Sequence, residues 1–156
     1  LRQAEQIDNL KPGLKYYIAD KKVRSAFEIN TLSFEKEGAG ETIRIISQNG
    51  PVYTSIKFEG FIKVPQDSIY SFYTASEDGS ILYIADRLIV NNDGFHQVQR
   101  QDGSYITVSG QVALREGFHP IKVCYMDWSS GEFLKAFIEG PGVKFQEIPK
   151  HMLYHN

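Results

Sequence analysis

Two short runs of oxygen-bearing side chains, Glu77-Asp78-Gly79-Ser80 and Asn91-Asn92-Asp93-Gly94, are separated by one apolar hairpin. Carboxylates and carboxamides are hard donors that ligate Ca2+ and hydrogen-bond to sugar hydroxyls. If both corners meet at one end of a sheet, they supply roughly four to six of the six to eight oxygens that Ca2+ takes. Glu77, Asp78, Asn92 and Asp93 are therefore the candidate metal ligands. The same four, with His96 beside the second corner and the single tryptophan, Trp128, form the candidate carbohydrate-binding set. Each has a plainer reading. Asp-Gly and Asn-Asp-Gly are turn signals that need no ligand. His96 suits a local loop bond, and Trp128 in Asp127-Trp128-Ser129-Ser130-Gly131 caps a core as readily as it stacks on a sugar ring.

No constellation here does covalent or acid–base chemistry. Carboxylates are plentiful, but nothing in their spacing selects a glycosidase pair. There is no Gly-x-Ser-x-Gly elbow, phosphate loop or His-Glu-x-x-His helix. No catalytic residue is assigned, and His119, ahead of Pro120 at a strand entry, reads as structural. The lone cysteine, Cys124, forms no internal disulfide and belongs to no zinc-spaced set. A net charge of -2 lacks the basic patch that nucleic acid or an anionic membrane surface requires. No apolar stretch approaches the roughly 20 residues of a membrane helix. The chain begins at Leu1 rather than Met, which reads as a processed terminus or an excised piece.

The elements that must hold these corners are strands. Ile56, Phe58, Gly60, Ile62 and Val64 alternate with Lys57, Glu59 and Lys63, and Pro65 closes the run. Further strands are expected at Leu14–Ala19, Ile69–Ala75, Ile81–Ala85, Leu88–Val90, Tyr105–Leu114, Ile121–Tyr125 and Phe133–Glu139. Asp20–Thr42 is irregular, with Glu37-Gly38-Ala39-Gly40 as a loop. Without βαβ alternation, this spacing indicates an all-β protein: an antiparallel β-sandwich or barrel of roughly 8–11 short strands. The 156 residues suit one domain, placed at residues 14–149. Residues 1–13 read as a polar, weakly helical linker or the tail of a preceding domain, and residues 150–156 as a C-terminal tail.

The stretch from Pro12 to His155 resembles the protective-antigen-type (PA fourteen) β-barrel domain. The resemblance is carried by Pro12–Tyr17, Phe58–Pro65 with Ile69–Tyr73, Ser76–Ile84, Val90–His96 and Glu116–Val123. It implies a mostly antiparallel shell with carbohydrate-binding relatives appended to glycosidases, adhesins and toxins. Sugar-binding adhesin members carry two successive aspartates, joined by a cis peptide, that chelate Ca2+. The matching pair here is Glu77-Asp78, while Ala85 stands where many relatives are acidic. The ending Gly140-Pro141-Gly142 through Ile148-Pro149, then Met152–His155, resembles modules attached to bacterial β-N-acetylhexosaminidases.

The resemblance thus implies a non-catalytic module that binds or positions a glycan, with Ca2+ as cofactor and an attached glycosidase catalytic domain as partner. Its location would be secreted, periplasmic or cell-surface. The competing expectation is an architectural module that packs on a catalytic domain with no ligand of its own.

Overall fold

The computed structural model describes residues 1–45, 54–128 and 132–156. Its strands, in chain order, are β1 (Lys11–Pro12), β2 (Leu14–Ala19), β3 (Lys36–Gly40), β4 (Thr54–Val64), β5 (Ser68–Glu77), β6 (Ser80–Ile84), β7 (Arg87–Asn92), β8 (Arg100–Gln101), β9 (Ser104–Tyr105), β10 (Val108–Leu114), β11 (Gly117–Asp127), β12 (Phe133–Gly140), β13 (Val143–Glu147) and β14 (Leu153–His155). The larger sheet runs β1-β14-β4-β11-β6-β7, with β2 joined to β4 and β3 to β2. The smaller runs β10-β5-β12-β13, and β8-β9 is a separate hairpin. All strand pairings are antiparallel. The expected antiparallel sandwich is therefore the fold.

The period-two pattern of β4 explains the packing. Ile56, Phe58, Ile62 and Val64 are buried, as are Tyr70 and Phe72 of β5 and Val123 and Tyr125 of β11. They form one core between the sheets with Leu82, Ile84, Leu134 and Ile138. Fully burying one such side chain contributes about 1.5–3 kcal/mol, so this interleaved set is the main source of stability.

Several expectations are corrected. Ala26–Thr31 is a 3-10 helix inside the stretch read as irregular, with a complete Ser25/Glu28 capping box. It buries Ala26 and Ile29, with Val23, against Ile81, Cys124 and Met126 on the outer face of the larger sheet. That cover explains why β6 is apolar on both faces. Glu37-Gly38-Ala39-Gly40 is strand, because Gly38 leaves room for the Tyr16 ring opposite; a Cβ there would lie 2.4 Å from the Tyr16 hydroxyl.

The stretches read as linker and tail are both tied to the sheets. In the N-terminal arm, Arg2 N–H donates to Ala113 O and Arg115 N–H to Arg2 O. The Arg2 guanidinium reaches His119 Nδ1 at 2.8 Å and Glu5 Oε1 at 2.6 Å. At the other terminus, β14 pairs with both β1 and β4. The expected Tyr105–Leu114 strand is broken between β9 and β10. Strands β13 and β14 lacked a long enough apolar run to be read from sequence.

Candidate functional site

β5 alternates inward Tyr70 and Phe72 with outward Ser71 and Tyr73, and its inward set turns polar toward its end with Thr74 and Ser76. These hydroxyls are buried, so they pair with one another. Ser80 Oγ donates to Thr74 Oγ1 at 2.9 Å and lies 2.7 Å from Ser76 Oγ. Asn92 Nδ2 lies 3.4 Å from both Thr74 Oγ1 and Ser76 Oγ. This hydrogen-bonded floor ties the β5–β6 corner to the end of β7. The two oxygen-rich corners therefore do share one mouth of the sandwich.

Asp78 lies at its centre and is only 7% exposed. Its Oδ1 accepts from the His96 N–H at 3.1 Å and its Oδ2 from the Trp128 N–H at 2.9 Å. One carboxylate thus clamps the loop after β7 to the loop after β11, through charge-assisted bonds stronger than neutral ones. The Glu77–Asp78 peptide bond is cis, the geometry that the resemblance implies for this pair. Glu77 O accepts from the Tyr125 hydroxyl, which also accepts from the Phe133 N–H at 3.3 Å. Burial pushes the Tyr125 phenol far up, so it stays protonated and keeps donating to the corner.

Asp93 stands beside this site but serves another element. Its Oδ2 accepts from Ser25 Oγ at 2.5 Å and its Oδ1 from the Ala26 N–H at 2.7 Å. It thereby secures the start of the 3-10 helix. Gly79 lets it approach: a Cβ at that position would lie 2.8 Å from Asp93 Oδ1 and 2.9 Å from Gly94 N. His96 turns its ring back on its own loop, with Nε2 2.9 Å from Asn92 O. Sequence reasoning missed this role; the signal that could have found it is the Ser25-x-x-Glu28 capping box, which marks a helix start.

Trp128 forms part of an aromatic wall. Lys22 Nζ sits 3.8 Å from its ring centroid, and the Phe95 ring packs on it at 4.6 Å. Phe95 is 52% exposed, so it, rather than Trp128 alone, presents an open ring edge at the mouth. Sequence reasoning missed Phe95 because an aromatic after Asp93-Gly94 reads as a core residue returning from a turn.

The implied cation can be tested against these donors. Both oxygens of Asp78 and both of Asp93 already accept a hydrogen bond, from different elements. Among the described residues, no three His, Cys, Asp or Glu side chains converge to hold a metal. Glu77, Asp78, Asn92 and Asp93 therefore share a mouth, in which Asp78 and Asp93 each serve a different element.

Comparisons with known proteins agree with this fold. The family model described as "PA14 domain" matches residues 10–148. No curated protein sequence matches the chain. Among solved structures, an anti-sigma factor domain-containing protein superimposes with a TM-score of 0.76 at 18% identity, covering 97% of this chain and 50% of that one. The chain thus spans about half the length of that neighbour. A PA14 sugar-binding domain from an RTX adhesin gives 0.74 at 12% identity, covering 93% of this chain and 99% of that one. A β-glucosidase from Kluyveromyces marxianus, in complex with glucose, gives 0.60 at 14% identity, covering 81% of this chain and 15% of that one. At these identities the shared feature is the fold. No helix among the described residues is long and apolar enough to cross a membrane.

Proposed function

The chain belongs to the PA14 domain family, and from that premise we propose that it is a non-catalytic carbohydrate-binding module that holds a saccharide at the Asp78 mouth. The observation that carries this reading is the Asp78 carboxylate itself. Two backbone N–H groups fix its orientation, yet it keeps lone pairs for further donors, since an ionised carboxylate accepts about four hydrogen bonds. Sugar hydroxyls are such donors. The open Phe95 ring, backed by Trp128, gives the apolar face of a pyranose something to lie against. Glu77 adds a second carboxylate at the rim, and Asn92 and His96 line the side of the site.

A single such site exchanges good water contacts for protein contacts, so affinity falls near millimolar, about -4 kcal/mol. The saccharide is held by protein groups. The module works outside the cell, at a surface or in the medium, as the adhesin neighbour's title fits. Its parent is a glycosidase of the β-N-acetylhexosaminidase kind, for which the β-glucosidase neighbour provides a parallel.

Titration of the chain with neutral saccharides by calorimetry or NMR tests this. Asp78→Asn and Phe95→Ala should each weaken binding at least about tenfold, or about 1.4 kcal/mol. Wild-type chain that binds no saccharide, or binding untouched by both changes, would refute the reading.

A second reading has its own support. The outer face of the smaller sheet carries Phe145, 49% exposed, stacked on Phe137 at 5.1 Å and edge-on to Tyr73 at 5.0 Å, with Ile69 59% exposed nearby. An aromatic cluster on a solvent face fits an architectural module that packs on a neighbouring domain. Loss of parent-enzyme stability on Phe145→Ser, with saccharide binding intact, would favour this role.

A further inference from the structure

Next to the Asp78 mouth lies a separate recess of about 220 Å3, between the loop after β7 and the strand entry at residues 106–108. Asn92, His96, Gln97, Gln99 and Thr107 supply amide, imidazole and hydroxyl groups, and Ile106 leads an apolar wall. No Asp, Glu, Lys or Arg lines it among the described residues. The larger cleft on the outer face of the bigger sheet is the opposite case: its roughly 440 Å3 are lined by Glu5, Lys15, Glu59 and Lys122.

We infer that this recess is a second sugar subsite, selective for a neutral pyranose, so that the module reads at least a disaccharide. The inference rests on the saccharide reading of the Asp78 mouth and adds the class of ligand. Three observations carry it. First, the recess adjoins the mouth through shared residues. His96 lines the recess while its backbone N–H holds Asp78, and Ser76, also in the lining, immediately precedes Glu77. A ligand unit in the recess therefore lies beside a unit at the mouth.

Second, the size is right for one ring and too small for more. At about 220 Å3 it falls below the roughly 300 Å3 at which drug-sized sites begin. Third, the chemistry is two-sided. Amides and hydroxyls donate and accept equally well, which matches sugar hydroxyls, while the exposed Ile106 and Val108 offer an apolar wall to ring C–H groups. A charged sugar would bring a carboxylate or sulfate into a recess that has no cation to receive it, and a desolvated unpaired charge is costly. The acidic residues of the adjoining mouth oppose an anion as well.

The test compares glucose, galactose and N-acetylglucosamine with their β-linked disaccharides cellobiose, lactose and chitobiose, by calorimetry or saturation-transfer NMR on the whole chain. At least one disaccharide should bind about tenfold or more tighter than its monosaccharide. Gln97→Ala and the space-filling Thr107→Trp should each remove most of that gain and leave monosaccharide affinity unchanged. Sialyllactose should show no advantage over lactose. Gln97 is exposed, so its variant remains folded even where Thr107→Trp proves too bulky. Equal affinity for mono- and disaccharides, or a gain that survives the recess substitutions, overturns the subsite alone. Absence of binding by every sugar overturns the mouth reading with it.

Discussion

Asp78 and Asp93 have the same side chain, each sits in an Asp-Gly turn, and both lie at the same end of the sandwich, yet they do different work. Asp78 follows a strand whose last inward positions are buried hydroxyls, and two backbone N–H groups from separate loops converge on it. Asp93 lies one hairpin further on, where the 3-10 helix arrives, and its oxygens go to Ser25 and Ala26. The comparison teaches that a carboxylate's role at a loop follows from which donors the fold delivers to it. A carboxylate that ties loops together around an opening keeps capacity for a ligand. One that secures a helix start is a structural acceptor.

The widest separation between the two should appear on removing each carboxylate. Asp78→Ala leaves two N–H groups without their charged acceptor, each bond worth about 1.5–3 kcal/mol. The chain should lose about 3 kcal/mol in denaturant unfolding and all measurable saccharide binding. Asp93→Ala should cost about 1–2 kcal/mol, as loss of a helix-start acceptor does, and leave binding within about threefold. If the Asp93 change abolished binding as completely, the two carboxylates would belong to one site and the distinction would fail.

Calcium provides a finer probe. Chelation with EDTA should leave saccharide affinity unchanged within about twofold, because the Asp78 oxygens are oriented by backbone donors. A chelator-sensitive affinity restored by Ca2+ would return a cation to the mouth and draw Asp93 or Glu77 in as a ligand.

Acid should act elsewhere in the molecule. His119 lies at the start of β11, far from the mouth at the strand's other end. It is fully buried, accepts from Arg2 at Nδ1 and donates to Arg115 O from Nε2. Burial, with the Arg2 charge beside it, holds its pKa below the ordinary histidine value. The unfolded chain then binds the proton at higher pH than the folded one. Stability is therefore complete above about pH 6.5 and falls as the pH drops below that, toward the lower folded value. His119→Gln should flatten this slope in urea titrations between pH 7 and 5, without changing saccharide affinity at pH 7. A slope that survives the substitution would place the acid-sensitive group elsewhere.

The smallest effect concerns Cys124. Burial pushes its thiol up to about 11, so it should resist alkylation in the native chain and react only on unfolding. Modification under native conditions would mean that the 3-10 helix over it opens readily, and that the Asp93 clasp is weaker than its geometry implies.

The sequence by itself determined the β architecture, because side-chain alternation in Ile56–Val64 and Ile69–Ala75 can bury one face only if those residues are strands. It also located the mouth, since Asp-Gly and Asn-Asp-Gly leave the chain little choice but to turn there. Tertiary structure decided the rest. Lys36–Gly40 and Leu153–His155 are strands because neighbouring strands complete their hydrogen bonds, which no local pattern encodes. The 3-10 helix stays ordered because the outer face of β6 and β11 buries it, despite a length that is marginal in isolation. The roles of Asp78, Asp93 and Phe95 were likewise settled by contacts across more than 15 residues of chain: a side chain's chemistry is fixed by its type, but its partners are fixed only when distant segments meet.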